Sequence, residues 1–256
     1  MRVMTEIKTI LITGASSGFG KATAKLLAKE GHKLILVARR KELLKQLQKE
    51  LSSNTYTATV DVRDKNQIED LFKNLPEEFR DIDVLINSAG LALGLEPATE
   101  ADIENWEIMV DTNIKGLMYF TRFALDIMKK RKNGLIVNIS SISATVPYKG
   151  SNVYGATKAF VNQFSRNLQT DLLGTNIKVS NIEPGTAETE FSMVRFKGNK
   201  EKATKVYQET KFLTPEDIAK TILWVINQPA HVNIGAIEVW PTNETFGGYA
   251  VNKNQK

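Results

Sequence analysis

Three glycines lie in Thr13-Gly14-Ala15-Ser16-Ser17-Gly18-Phe19-Gly20-Lys21, between an apolar run and a segment with helical periodicity. Gly14, Gly18 and Gly20 let the backbone turn sharply and approach a pyrophosphate held over the helix N-terminus. The spacing is G-x-x-x-G-x-G, and its place in a first strand–loop–helix unit points to dinucleotide binding. Ser16, Ser17 and Phe19 share the loop and join the expected cofactor contacts. The second strand-like run ends Val37-Ala38-Arg39-Arg40, and the next acid, Glu42, already belongs to the following helix. A ribose 2′-hydroxyl would call for a carboxylate at that strand end. Arg39 and Arg40 instead suit a 2′-phosphate, so NADP is the expected cofactor. After the third run, Asp61-Val62 could set a carboxylate near the adenine amino group. Farther along, Tyr154 and Lys158 stand four residues apart and share one helix face. A strand-like run ends at Ser140-Ser141, 13 residues before Tyr154.

These residues need a scaffold, and the sequence supplies an alternating one. Strand-like runs occur at 9–13, 34–38, 55–60, 84–87, 135–140, 178–182 and 236–240. Helix-like stretches occupy 18–30, 41–51, 67–75, 114–131 and 152–173. Continuous apolar strands are buried on both faces, which requires parallel pairing with helices on either side. The expected fold is α/β, a single Rossmann-like domain over 1–256 with a doubly wound parallel sheet of about seven strands. One stretch breaks the rhythm after the sixth strand, and residues 190–211 form a candidate substrate lid. The pattern resumes at Thr214-Pro215-Glu216-Asp217, a helix start with an N-cap, a proline and first-turn acids.

Composition removes several kinds of chemistry. The chain has 256 residues and no Cys, which excludes disulfides, thiolate metal sites and a cysteine nucleophile. Two His leave no His-rich metal centre, so no metal site is expected, and a serine–histidine mechanism would have to use His32 or His231. The charge surplus, 34 Lys+Arg against 29 Asp+Glu, is too small to mark a nucleic-acid protein. The densest basic run, Lys129-Lys130-Arg131-Lys132, reads as a helix C-terminus stopped by Asn133-Gly134. No apolar run approaches the ~18 residues of a membrane span, and no signal peptide is visible, so a cytoplasmic location is expected.

Taken in order, Thr13 to Gly20, Asn87-Ser88-Ala89-Gly90, Asn113, Ser141 with Tyr154 and Lys158, and Pro184-Gly185 resemble the short-chain dehydrogenase/reductases over nearly the whole chain. The resemblance implies that Tyr154 is the general acid/base and that Lys158 holds the nicotinamide ribose. A free phenol has a pKa of about 10, and the Lys158 ammonium and an oxidised nicotinamide would both lower it. Ser141 would orient the reacting oxygen; Ser140 is the alternative, with the spacing favouring Ser141. Asn113 matches the asparagine that holds a water linking the lysine to a proton relay, and a plain helix N-cap is its other reading. The family places Asn87, Ser88, Ala89 and Gly90 near the cofactor, although Ser88 stands where a second Asn is usual. Pro184, Gly185, Thr186 and Thr189 resemble the stretch that contacts the nicotinamide carboxamide.

Longer stretches, among them Gly90-Leu91-Ala92-Leu93-Gly94 and Val194-Arg195-Phe196-Lys197-Gly198, look like the NADP-dependent 3-hydroxy acid dehydrogenases that act on serine and allo-threonine. That implies hydride transfer at C3 of a small 3-hydroxy acid. Such a substrate needs its carboxylate neutralised, and the basic pair in the irregular insertion offers Arg195 as a fork, with Lys197 as a second candidate. Reduction of ketoacyl or diketone carbonyls is the runner-up, and a non-catalytic NADP-binding protein is a weaker alternative. Family members commonly assemble as tetramers through two long helices, here about 114–131 and 152–173, with Phe120, Phe123, Phe160 and Phe164 on them. The expected partners are therefore a small-molecule substrate and further copies of the chain, with no nucleic acid and no membrane.

Overall fold

The structure is a computed structural model and describes residues 6–208 and 211–245. Its sheet consists of β1 (Thr9–Thr13), β2 (Lys33–Ala38), β3 (Thr55–Thr59), β4 (Val84–Asn87), β5 (Gly134–Ile139), β6 (Ile177–Pro184) and β7 (Ala236–Val239). All neighbours pair in parallel, in the order β3-β2-β1-β4-β5-β6-β7. The chain reverses its direction of winding between β1 and β4, and ligands of open α/β sheets bind at the strand ends beside such a switch point.

Alternation along β1 sends Ile10 and Ile12 to one face and Leu11 to the other. The first face is covered by α1 (Gly18–Lys29), α2 (Lys41–Glu50) and α9 (Pro215–Ile226). The second is covered by α3 (Lys65–Lys73), α5 (Leu117–Arg131) and α6 (Asn152–Asp171). Phe120 is fully buried in this second layer, so it is core, whereas Phe160 and Phe164 stack on each other with ring centres 5.5 Å apart and remain partly exposed. Burying strands on both faces is what makes them read as unbroken apolar runs.

Three asparagines lie side by side across the sheet, because Asn87 registers with Asn138 and Asn138 with Asn181. Asn87 Nδ2 donates to Asn138 Oδ1 at 2.9 Å and Thr121 Oγ1 at 3.0 Å, and Asn138 Nδ2 donates to Ser165 Oγ at 2.9 Å. These bonds tie β4 and β5 to α5 and α6. The Asn87 and Asn138 amides therefore have partners, which offsets the cost of removing them from water.

Two boundaries differ from the sequence expectation. The helix expected at 114–131 begins earlier: α4 (Ile103–Val110) continues through a π-helical turn at Asp111–Gly116 into α5. The α5 stop falls on Lys132, which takes the left-handed conformation at φ 53°, while Gly134 already opens β5. The 190–211 stretch contains α7 (Phe191–Arg195) and α8 (Lys200–Lys205). Thr214 caps α9, as its sequence predicts, and does so in a reciprocal box with Asp217.

Candidate active site

A cleft of about 610 Å³ opens at the C-terminal ends of β1, β2, β4, β5 and β6. Its floor begins with the β1–α1 loop. Gly14 sits at φ +68°, and a side chain there would meet the Ala89 backbone at 2.9 Å. At Gly20, a Cβ would lie 2.5 Å from the Gly14 carbonyl oxygen. The glycines thus let the loop pack onto the turn after β4, and Thr13 Oγ1 completes the joint by accepting from the Ser88 and Ala89 amides at 3.1 and 3.0 Å. No acid occupies the first turn of α1 and no side chain caps it, so its leading amides suit a pyrophosphate.

Arg39 and Arg40 line the cleft beside Ser16, Asp61 and Val62. Arg40 Nε donates to Ser16 Oγ at 3.1 Å, and its Nη1 meets Glu190 Oε2 at 2.9 Å. Asp61 is held below the usual carboxylate range mainly by its hydrogen bonds from Arg63. Ser17, Gly18, Phe19, Ser88, Ala89 and Gly90 complete this half of the lining.

At the other end, β5 runs into Ser140-Ser141, and α6 carries Tyr154 and Lys158 on the wall facing them. Ser140 Oγ donates to the Lys158 carbonyl at 3.0 Å, which joins that turn to α6. Ser141 hydrogen-bonds Tyr154 and also donates to Ser143 Oγ at 3.0 Å. Lys158 Nζ donates to the Ile139 carbonyl at 2.9 Å and lies 5.9 Å from the centre of the Tyr154 ring. Both side chains are buried. Burial pushes the Lys158 amine down to about 8. It also pushes the Tyr154 phenol up to about 12, with Tyr148 adding to the rise and Arg195 and Ser141 opposing it. In the protein alone, desolvation outweighs the Arg195 cation and the Ser141 hydrogen bond that oppose it.

Asn113 lies inside the π-helical turn and caps no helix. Its Oδ1 accepts from the Leu91 amide at 2.9 Å, and its Nδ2 donates to the Leu91 carbonyl at 2.8 Å and Thr157 Oγ1 at 3.0 Å. A Cβ on Gly90 would lie 3.3 Å from Lys158 Nζ and 3.4 Å from Asn113 Oδ1, so the two groups converge on that glycine. Asn113 and Asn87 are both absent from the cleft lining, and Asn87 points into the sheet ladder.

The model for "short chain dehydrogenase" matches residues 8–200. The chain belongs to the short-chain dehydrogenase family. An NADP-dependent 3-hydroxy acid dehydrogenase, YdfG, of Salmonella typhi is 53% identical over 246 residues, covering 96% of this chain and 99% of the relative. A serine 3-dehydrogenase of Agrobacterium fabrum is 48% identical over 243 residues, covering 95% and 97%. Among solved structures, the closed form of a serine dehydrogenase complexed with NADP+ superposes with a TM-score of 0.92 at 51% identity, covering 95% of this chain and 98% of that one.

Within this short-chain dehydrogenase, the segment after β6 lines the site. Pro184, Gly185, Thr186 and Thr189 line the cleft, and Thr189 stands opposite Gly18. The Thr186 amide and hydroxyl both donate to the Glu244 carboxylate, at 2.8 and 2.6 Å. Arg195, on α7, donates from Nη2 to the Tyr148 hydroxyl at 2.7 Å. Its guanidinium also lies 5.1 Å from the Tyr154 ring centre and 5.0 Å from that of Phe191. Lys197 points elsewhere, its Nζ 3.9 Å from Asp102 Oδ2. Sequence reasoning missed Tyr148, Ser143, Phe191 and Glu244. A tyrosine after Val146-Pro147, between the serine turn and α6, was the available signal for the first; Glu244 carried none. His32 is buried away from the cleft, accepting from the Lys8 amide at 3.2 Å. Among the described residues no group of three or more His, Cys, Asp or Glu could hold a metal, and no helix is long and apolar enough to cross a membrane. Of the C-terminal stretch, residues 246–256 lie outside the described residues.

Proposed function

We propose that this chain is an NADP-dependent dehydrogenase that oxidises C3 of small 3-hydroxy acids, serine and allo-threonine among them, or reduces the corresponding carbonyl compounds. The observation that carries the reading is one wall holding Ser141, Tyr154 and Lys158, with the Arg195 guanidinium 5.1 Å from the Tyr154 ring. The names of the relatives above point the same way.

NADP, bound across the cleft, supplies the hydride donor or acceptor. The β1–α1 amides would hold its pyrophosphate, Arg39 and Arg40 its 2′-phosphate, and the 184–189 segment its carboxamide. Tyr154 gives a proton to the carbonyl oxygen in reduction and takes the hydroxyl proton in oxidation. As a phenol near 12 it is neutral at physiological pH, ready to act as the acid. Serving as the base requires the phenolate, which added positive charge in the site favours. Ser141 orients the reacting oxygen, and Lys158 braces the ribose. Arg195 presents a guanidinium to the substrate carboxylate: its Nε is buried and has no protein partner.

NADP+ reduction should proceed with L-serine, L-allo-threonine or 3-hydroxyisobutyrate and fall by ~10³-fold or more in Tyr154→Phe. Turnover that survives this change sinks the acid/base assignment. Arg195→Ala should raise KM for 3-hydroxy acids far more than for neutral secondary alcohols; equal losses on both would remove the carboxylate role.

A further inference from the structure

Arg195 is enclosed by aromatic rings. Its guanidinium carbon lies 5.0 Å from the centre of Phe191, 5.1 Å from Tyr154 and 5.7 Å from Tyr148. The Tyr148 hydroxyl accepts from Nη2 at 2.7 Å, and the Arg195 carbonyl accepts from the Gly94 amide at 3.0 Å. The end of α7 is thereby held against the loop after β4, with the guanidinium against the ring of the acid/base. A carboxylate clamp alone does not require that placement.

The groups facing Tyr154 can be named element by element. From α6 comes Lys158, and from the turn after β5 comes the Ser141 hydroxyl. Tyr148 comes from the loop before α6, and Arg195 and Phe191 come from α7. The loop after β4 and α4 contribute Leu91, Ala92 and Met109, which are apolar. Two cations therefore flank the ring, and they differ in kind. The buried Lys158 amine, pushed down to about 8, loses its charge as the solution becomes alkaline. A guanidinium stays charged throughout that range. Alcohol oxidation releases a proton and is favoured by alkali, so the range where a base is most useful is the range where Lys158 fades.

We propose that Arg195 is a positioning residue for proton transfer as well as a carboxylate fork: seated against Tyr154, it is the lasting positive charge that favours the phenolate, so base strength depends on how α7 sits. This rests on the reading of Tyr154 as the acid/base. Removing the charge should raise the Tyr154 midpoint by about one pH unit. On the acidic side of that midpoint, oxidation of a neutral secondary alcohol should slow about tenfold, although such a substrate has no carboxylate for Arg195 to bind.

The test is a pH titration of near-ultraviolet phenolate absorbance in the NADP+ complex, with the signal of Tyr154→Phe subtracted. It is run on wild type, Arg195→Gln, Arg195→Met and Arg195→Lys, beside the pH profile of kcat/KM for a neutral alcohol. The expected order of midpoints is wild type and Arg195→Lys lowest, with Arg195→Gln and Arg195→Met highest. Arg195→Met removes the charge with a different side chain, so it carries the test even if Arg195→Gln folds poorly. Midpoints unchanged in Arg195→Gln and Arg195→Met, with KM raised only for 3-hydroxy acids, would overturn the proposal and leave a clamp. Arg195→Lys behaving like Arg195→Gln would also overturn it, by making the role one of shape. Turnover retained in Tyr154→Phe would be a different failure, that of the acid/base reading itself.

Discussion

Replacing Lys158 by methionine should make the cofactor-free protein more stable at neutral pH while abolishing turnover. The amine is buried, with 6% of its surface exposed, and its pKa falls from 10.5 to about 8. Folding therefore favours the uncharged amine. Below the folded value the native state carries a cation that the unfolded chain solvates better, at a cost of about 3 kcal/mol. That cost shrinks as pH rises from about 8 and is gone above 10.5, where both states are neutral. Methionine of similar length removes the charge but also the 2.9 Å bond to the Ile139 carbonyl, a loss of ~1–2 kcal/mol. The net gain near neutrality is then ~1–2 kcal/mol, a rise of a few degrees in Tm for a chain of this size. Thermal and urea unfolding of wild type and Lys158→Met, without NADP, should show this gap below about pH 8 and its loss toward pH 10. The raised Tyr154 pKa affects both proteins alike, so it drops out of the comparison. A variant less stable than wild type at neutral pH, or a gap that does not change with pH, would refute the argument.

Further outcomes follow from the cofactor half of the cleft. Arg39→Ala and Arg40→Ala should each raise KM for NADP by ~10-fold or more and leave NAD little affected, since each removes a charge-assisted partner of the 2′-phosphate alone. Steady-state kinetics with both cofactors checks this, and parallel losses would argue that the arginines serve the loop instead, through the Arg40–Ser16 bond. Gly20→Ala should cost ~1–3 kcal/mol and weaken NADPH binding, because its methyl would press on the Gly14 carbonyl. Fluorescence titration and Tm measure the two effects, and wild-type values of both would sink the packing argument.

Much of this arrangement was legible in the sequence. The strands were found within a residue or two because burial on both faces leaves an unbroken apolar signature, as in Leu34, Ile35, Leu36 and Val37. The glycine loop, Arg39-Arg40 and the serine–tyrosine–lysine set kept their positions because each is fixed locally, by a strand end or a helix face. What stayed hidden depends on distant parts of the chain. Glu244 meets Thr186 across 58 residues, and Tyr148 meets Arg195 across 47. The high phenol pKa of the protein alone was not legible either, because desolvation is a property of the packed site. The early start of the helix that ends at Arg131 was missed because an added residue breaks the period that a helical reading relies on.

That added residue has a consequence for descent. A π-helical turn behaves as a one-residue insertion in an α-helix, shifting everything beyond it by about 100° around the axis. At Asp111–Gly116 it turns the Asn113 carboxamide toward Leu91 and Thr157 while α5 still buries Phe120, Ala124 and Met128. A regular helix of the same sequence could satisfy one end or the other, but not both. Deleting a single residue there would leave a sound helix and a misaimed asparagine, so the length of this segment is constrained along with its residues.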